Sequence, residues 1–184
     1  MDKQVGCIFC GKDFPYDYQL VSNAPIFWLF VLNINPQADL HSLIVLNAEK
    51  AGHISDLSDE HLPKEALDEL GILLSRASKS IKAADLSVAK VLVTSLNMGK
   101  NSEHLHFHLI PKRGEEKVRT VNDPDKDGGG MFFMARKEIV VDTYKDFLKS
   151  TTGSEYEELI CKIWEATKSQ VTRNAQALRK TFEW

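Results

Sequence analysis

The sequence predicts an α+β domain, with an antiparallel sheet of about five strands, flanking helices and a helical extension at the C-terminus. Two patterns predict it. Branched and aromatic runs occur in the order strand, strand, strand, helix, strand, strand, which lacks the regular alternation of a doubly wound parallel sheet. A charged, glycine-rich stretch then separates this block from two segments of helical periodicity.

Residues 17–22 and 25–33 (PIFWLFVLN) are rich in strand-forming side chains. Asn33, Asn35 and Pro36 punctuate a turn, and 41–46 (HSLIVL) forms the next strand. Leu62, Ala66, Leu67, Leu70, Leu73, Leu74, Ala77 and Ile81 recur at helical spacing, with Pro63 tolerable in the first turn. Strands return at 88–96 and 104–111. The run Gly128–Gly130 marks an irregular connection, followed by helical segments near 142–150 and 154–182. Ser154 and Glu157 stand at capping-box spacing at the head of the second segment. Its apolar face of Tyr156, Ile160, Ile163, Val171, Ala175, Leu178 and Phe182 must be buried on the domain or on a second chain. The expected division is a domain over 1–112, an irregular loop over 113–135 and a helical extension over 136–184.

Composition narrows the function. The 184 residues are 43% hydrophobic and 27% charged, enough for a buried core. A net charge of −3 gives no basic excess for general nucleic-acid binding. The longest apolar run, 24–32, is far short of the ~20 residues of a membrane span. The opening MDKQVGCIFC lacks the charged start and apolar stretch of a secretory leader, and three cysteines (Cys7, Cys10, Cys161) form no disulfide framework. A cytoplasmic location is expected.

The sharpest feature is His104-Leu105-His106-Phe107-His108, which holds half of the six histidines. On a strand, residues two apart share a face, so the three imidazoles line one side and the intervening apolar residues enter the core. Three readings compete: a solvated strand face, a catalytic metal site, and a phosphate-handling surface. In the second, two of the imidazoles share a zinc ion whose bound water attacks. In the third, the middle imidazole attacks phosphorus.

The run His-φ-His-φ-His-φ-φ resembles the signature of the histidine-triad (HIT) superfamily. Asn33-Ile34-Asn35-Pro36-Gln37 with His41-Ser42-Leu43-Ile44-Val45-Leu46 is similar to that family's strand-turn-strand, and Asn97-Met98-Gly99 to the Asn-x-Gly before its histidine strand. Cys7-Ile8-Phe9-Cys10 is similar to the Cys-x-x-Cys of zinc-containing members. The resemblance spans residues 7 to about 112.

It implies a nucleotide hydrolase, usually a homodimer, that forms a covalent nucleotidyl-histidine. The nucleophile would be His106, with His41 and His108 orienting it and holding phosphate oxygens. Asn97 would position phosphate, Asn33 would meet the ribose hydroxyls, and Ile8, Phe9 and Ile34 would pack on the base. Cys7, Cys10, His104 and His53 would hold a structural zinc. His53 lies farther along the chain than the family's spacing, which falls on Glu49. No organic cofactor is implied.

This chain departs from the family's pattern in three further places. The loop before His104 is short, so Ser102, Asn101 or Lys100 would replace the usual phosphate donors. Leu40 replaces the glycine usual before His41, and Lys112 follows Pro111 where arginine is common. A histidine at 108 favours hydrolysis of a dinucleoside polyphosphate or adenosine phosphoramidate, whereas transferases and phosphorylases carry glutamine there. The alternatives are such a transferase or phosphorylase, or a zinc-stabilised nucleotide-binding module without turnover.

Overall fold

The structure, a computed structural model, describes residues 7–11, 14–33, 38–95, 103–113 and 154–184, with side chains from 168 onward in the last stretch. The expectations for Ile34, Asn97, Ser102, Gly128–Gly130 and a helix at 142–150 lie outside the described residues, as do the side chains of Tyr156, Ile160, Cys161 and Ile163.

Five strands pair antiparallel in the order β1-β2-β3-β5-β4: β1 (Leu20–Ser22), β2 (Trp28–Leu32), β3 (Ser42–Leu46), β4 (Val88–Thr94) and β5 (His106–Arg113). The first two strands are shorter than their composition predicts, because side chains take the backbone groups that a ladder would use. Gln19 is 2% exposed, and its side chain accepts from the Tyr16 amide and donates to the Leu32 carbonyl, so 17–19 is a turn. The amides of Ile26 and Phe27 both donate to the Glu69 carboxylate at 2.7 Å, which delays the start of β2. Strand β5 runs through Pro111 instead of stopping there. Its pairing with β3 ends at Ser42 opposite Leu109, so beyond that point β5 pairs with β4 alone among the described residues, where a residue without an N–H is tolerated.

Period-two alternation sorts the strands into two faces. Trp28, Phe30, Leu32, Ile44, Leu46, Leu105, Phe107 and Leu109 pack in one core under the helices. Leu29, Val31, Leu43 and Val45 point the other way and pack with Cys7, Phe9, Cys10 and Ala48. The register sets Leu29 opposite Val45 and Val45 opposite His106. In the neighbouring row Val31 is opposite Leu43, and Leu43 opposite His108. The histidines therefore share the face that the N-terminal segment covers.

The helix predicted from Leu62 onward is α2 (Lys64–Ala84), preceded by a short α1 (Ala48–Ala51). One turn is too short for periodicity to reveal. The sign of α1 is local: Asn47 Oδ1 accepts from the Glu49 amide at 3.0 Å. Helix α2 buries Ala66, Leu70, Leu73, Ala77 and Ile81 at three- and four-residue spacing, while Leu67 stays 43% exposed. Trp28 Nε1 donates to the Ala66 carbonyl at 2.7 Å and ties α2 to the sheet.

The extension forms α3 (Ser154–Thr181), whose last turns complete the same core. Val171, Ala175 and Leu178 are buried there, and the Phe182 ring packs at a tilt against Phe30 with ring centroids 5.1 Å apart. Burying Val171 and Leu178 contributes about 1.5–3 kcal/mol each. Ser80 Oγ donates to the Leu178 carbonyl, and Arg179 Nε donates to the Leu20 carbonyl at 2.8 Å, tying α3 to α2 and β1.

Candidate active site and metal cluster

His104, His106 and His108 enter one face by strand alternation, and His41 joins them from the residue just before β3. All four are hydrogen-bonded, and the partners fix which ring nitrogen carries a proton. A carbonyl oxygen only accepts, so the 2.7 Å contact between His106 Nδ1 and the His104 carbonyl is an Nδ1–H donation. In the neutral ring this leaves the lone pair on Nε2. His108 Nε2, 3.2 Å away, must then donate to it, and His108 Nδ1 must accept from His41 Nε2 at 3.0 Å. His41 Nδ1 is left as an acceptor, with the Asn33 amide nitrogen 3.5 Å away. That amide is also 3.4 Å from His41 Nε2, which already carries a proton in this arrangement. The result is a one-way chain from Asn33 through His41 and His108 to His106.

Burial keeps these rings neutral. It pushes His41 down to about 3, helped by the nearby His108, and His108 down to about 4, helped by His106. His106 is lowered as well, chiefly by burial, against the opposing effect of its bond to the His104 carbonyl. A neutral imidazole with a lone pair on Nε2 is the form that can act as nucleophile.

His104 belongs to a second constellation. Its Nε2–H donates to the Leu46 carbonyl at 2.7 Å, so its Nδ1 lone pair faces Cys10 Sγ at 3.5 Å and His53 Nδ1 at 3.3 Å. Cys10 Sγ is 3.4 Å from His53 Nδ1, and the donor atoms of Cys7, Cys10, His53 and His104 all lie within 4.8 Å of one another. Bond lengths of roughly 2.0–2.1 Å to nitrogen and 2.3 Å to sulfur put the edges of a zinc tetrahedron at about 3.3 Å (N–N) and 3.6 Å (N–S). The three separations among Cys10, His53 and His104 match. Burial is the main reason His104 falls to about 4, which keeps the ring in its ligating form. A backbone carbonyl fixing the tautomer of a ligand histidine is a usual companion of metal sites. These four residues can therefore hold a metal ion, and four protein donors leave it no open position.

The predicted site residues divide clearly. His41, His106, His108 and Asn33 form one hydrogen-bonded chain, and Cys7, Cys10, His53 and His104 form one cluster. Glu49 lies in the single turn of α1 and is not in the cluster. Of the expected base-packing residues, Ile8 is 53% exposed, whereas Phe9 is 7% exposed with its ring 4.7 Å from the His106 ring. His61 is exposed and bonded to Asp59. Sequence reasoning missed the Leu46 carbonyl and the contact of Phe9 with His106. A carbonyl carries no residue signature, and the Phe9 contact joins segments almost a hundred residues apart. A cavity of about 690 Å³ lies beyond Phe9, between Phe14, Leu29, Asn23 and Lys50, and none of the histidines lines it.

The HIT domain family model matches residues 23–115. An adenosine 5'-monophosphoramidase from Saccharomyces cerevisiae is 30% identical over 132 residues, which make up 66% of this chain and 72% of the yeast protein. Among solved structures, a Hit-like protein involved in cell-cycle regulation from Bartonella henselae superposes with a TM-score of 0.51 at 16% identity, covering 89% of this chain and 86% of that one. It shows the same fold. A zinc-bound histidine triad family protein from Mycobacterium smegmatis gives a TM-score of 0.44 at 23% identity, over 59% of this chain and 74% of that one.

Proposed function

Since this chain belongs to the HIT domain family, we propose that it is a nucleotide hydrolase that cleaves a nucleoside phosphoramidate or phosphoanhydride through a nucleotidyl adduct on His106. One observation carries the reading. The His104 carbonyl holds the proton of His106 on Nδ1, leaving an Nε2 lone pair beside the Nε2–H of His108. The yeast relative's name supports the phosphoramidate class.

His106 Nε2 attacks the α-phosphorus, and the bond from phosphorus to the leaving nitrogen or oxygen breaks. The Nε2–H of His108, the donor nearest the reacting atoms, turns from His106 to a phosphoryl oxygen, and the leaving group takes its proton from solvent water. His106 keeps its Nδ1 proton, so the adduct is cationic, and the His104 carbonyl faces that charge. Water then attacks phosphorus, the bond from phosphorus to His106 Nε2 breaks, the proton lost by the water passes to solvent, and the nucleoside monophosphate is released. Two easier displacements replace one hard one. His41 holds His108 in its tautomer through the 3.0 Å bond, and Asn33, beside His41, would meet the ribose hydroxyls. Ile8 offers apolar surface to the base.

Cys7, Cys10, His53 and His104 would hold zinc. When bound, the ion supplies a structural clamp, because four protein ligands leave no place for an activated water. The chain would act as a homodimer.

The test is incubation with α-labelled adenosine phosphoramidate or dinucleoside polyphosphate. An acid-labile adduct should form on the wild-type protein and be absent from His106→Ala, with chelator leaving the chemistry of a short assay intact. Turnover without an adduct, lost at once on chelation, would point to metal-bound water. Nucleotide bound without product would mean a binding module, and transfer to added phosphate would mean a phosphorylase.

A further inference from the structure

Beside the 3.2 Å bond with His108, two contacts constrain the His106 ring, and both come from residues tied to the metal cluster. One is the His104 carbonyl, the backbone of a cluster ligand, at 2.7 Å from Nδ1. The other is the Phe9 ring, with centroids 4.7 Å apart and planes at 43°. Phe9 sits between Cys7 and Cys10, whose backbones close a turn through a 3.3 Å bond from the Cys10 amide to the Cys7 carbonyl. Its ring also lies 6.1 Å from that of His104 and meets the edge of Phe14 at 5.1 Å and 80°. With His106 and Phe14 against it, Phe9 keeps only 7% of its surface exposed, whereas its neighbour Ile8 is more than half exposed.

We infer that Phe9 is a positioning residue, through which the Cys7–Cys10 clip of the metal cluster holds the His106 imidazole in its attacking orientation. This rests on His106 being the nucleophile. Once the His108 donor turns to the substrate, one hydrogen bond holds the His106 ring, which can then flip about its Cβ–Cγ bond and exchange Nε2 for a carbon. Packing against a flat neighbour removes that freedom, and small errors in nucleophile placement cost large factors in rate.

The test uses the full-length, zinc-loaded protein and two readouts: the ¹⁵N signals of the His106 ring, which need no substrate, and steady-state kinetics. Wild type should show a single tautomer with the proton on Nδ1. Phe9→Leu should keep its metal, show mixed ring signals, and lose about tenfold or more in kcat while KM moves less than about threefold. Phe9→Met, which preserves volume but not the flat face, serves if the leucine variant folds poorly. Leu29→Ala, a packing loss in the same apolar cluster, should leave both readouts at wild type. Cys10→Ser, with Phe9 intact, should reproduce the mixed ring signals. Unchanged ring signals in the Phe9 variants would overturn the inference, as would a rise in KM at constant kcat, which marks a base contact. Unchanged signals in Cys10→Ser would overturn the link to the metal. If no nucleotide is turned over, the nucleophile reading fails on its own and the ring signals still decide what Phe9 does.

Discussion

Leu40 offers the most sharply quantified test of how the site is built. It has φ 66°, the left-handed region that side chains with a Cβ avoid, and yet it is 5% exposed and packed in the core under the helices. The turn demands this backbone: the His41 amide donates to the Ala38 carbonyl, the Asn33 amide donates to the His41 carbonyl, and Ser42 Oγ donates to the Leu40 carbonyl at 2.7 Å. The conformation costs an L-residue about 1–2 kcal/mol, whereas truncating a buried leucine to alanine costs about 2–5 kcal/mol. Packing outweighs strain, so both Leu40→Ala and Leu40→Gly should destabilise the protein. They should not do so equally. Alanine loses the packing and keeps the strained Cβ, while glycine loses one more carbon and relieves the strain. The glycine variant should therefore be the more stable of the two by about 1 kcal/mol, the reverse of the usual preference for alanine over glycine of about 0.5–1 kcal/mol in helices and strands. Urea denaturation midpoints at constant slope measure the difference. If alanine equals or exceeds glycine, the positive φ is not storing strain; if either variant exceeds wild type, burial of Leu40 is not what holds the turn.

Two further outcomes follow from the histidines. Because burial lowers the folded-state values of His41 to about 3 and His108 to about 4, the unfolded chain takes up protons first as pH falls below about 6.5. The stability they contribute is complete above that pH and should fall by up to about 1.4 kcal/mol per unit per histidine down to about pH 4. Denaturation at pH 7.5, 6 and 5 checks this, and a flat profile would contradict the burial. At the metal cluster, His53→Ala should release zinc to a competing chelator about ten- to a hundredfold more readily, while Glu49→Ala should not; the opposite result would move the fourth ligand to Glu49.

How far the site was legible depends on the range of the interaction. The alternation of His104, His106 and His108 with Leu105, Phe107 and Leu109 is a property of any strand, so their common face followed from spacing alone. The choice between His53 and Glu49 did not. Sequence distance from His41 favoured Glu49 by family spacing, but the loop after α1 turns back and brings His53 Nδ1 within 3.3 Å of His104 Nδ1. Strand ends were likewise misjudged where a distant carboxylate, that of Glu69, claimed the amides of Ile26 and Phe27.

Local chain stereochemistry thus governed the element types, the two-faced strands and the amphipathic stripes of α2 and α3, since each depends on side-chain direction within a few residues. Three-dimensional packing governed the rest. It seated α3 on α2 and the sheet of its own chain, gave His104 to the metal cluster and His106 to the proton chain, and set Phe9 against the nucleophile. Those outcomes rest on contacts between residues from about 40 to 160 positions apart, which exist only once folding has brought their backbones side by side.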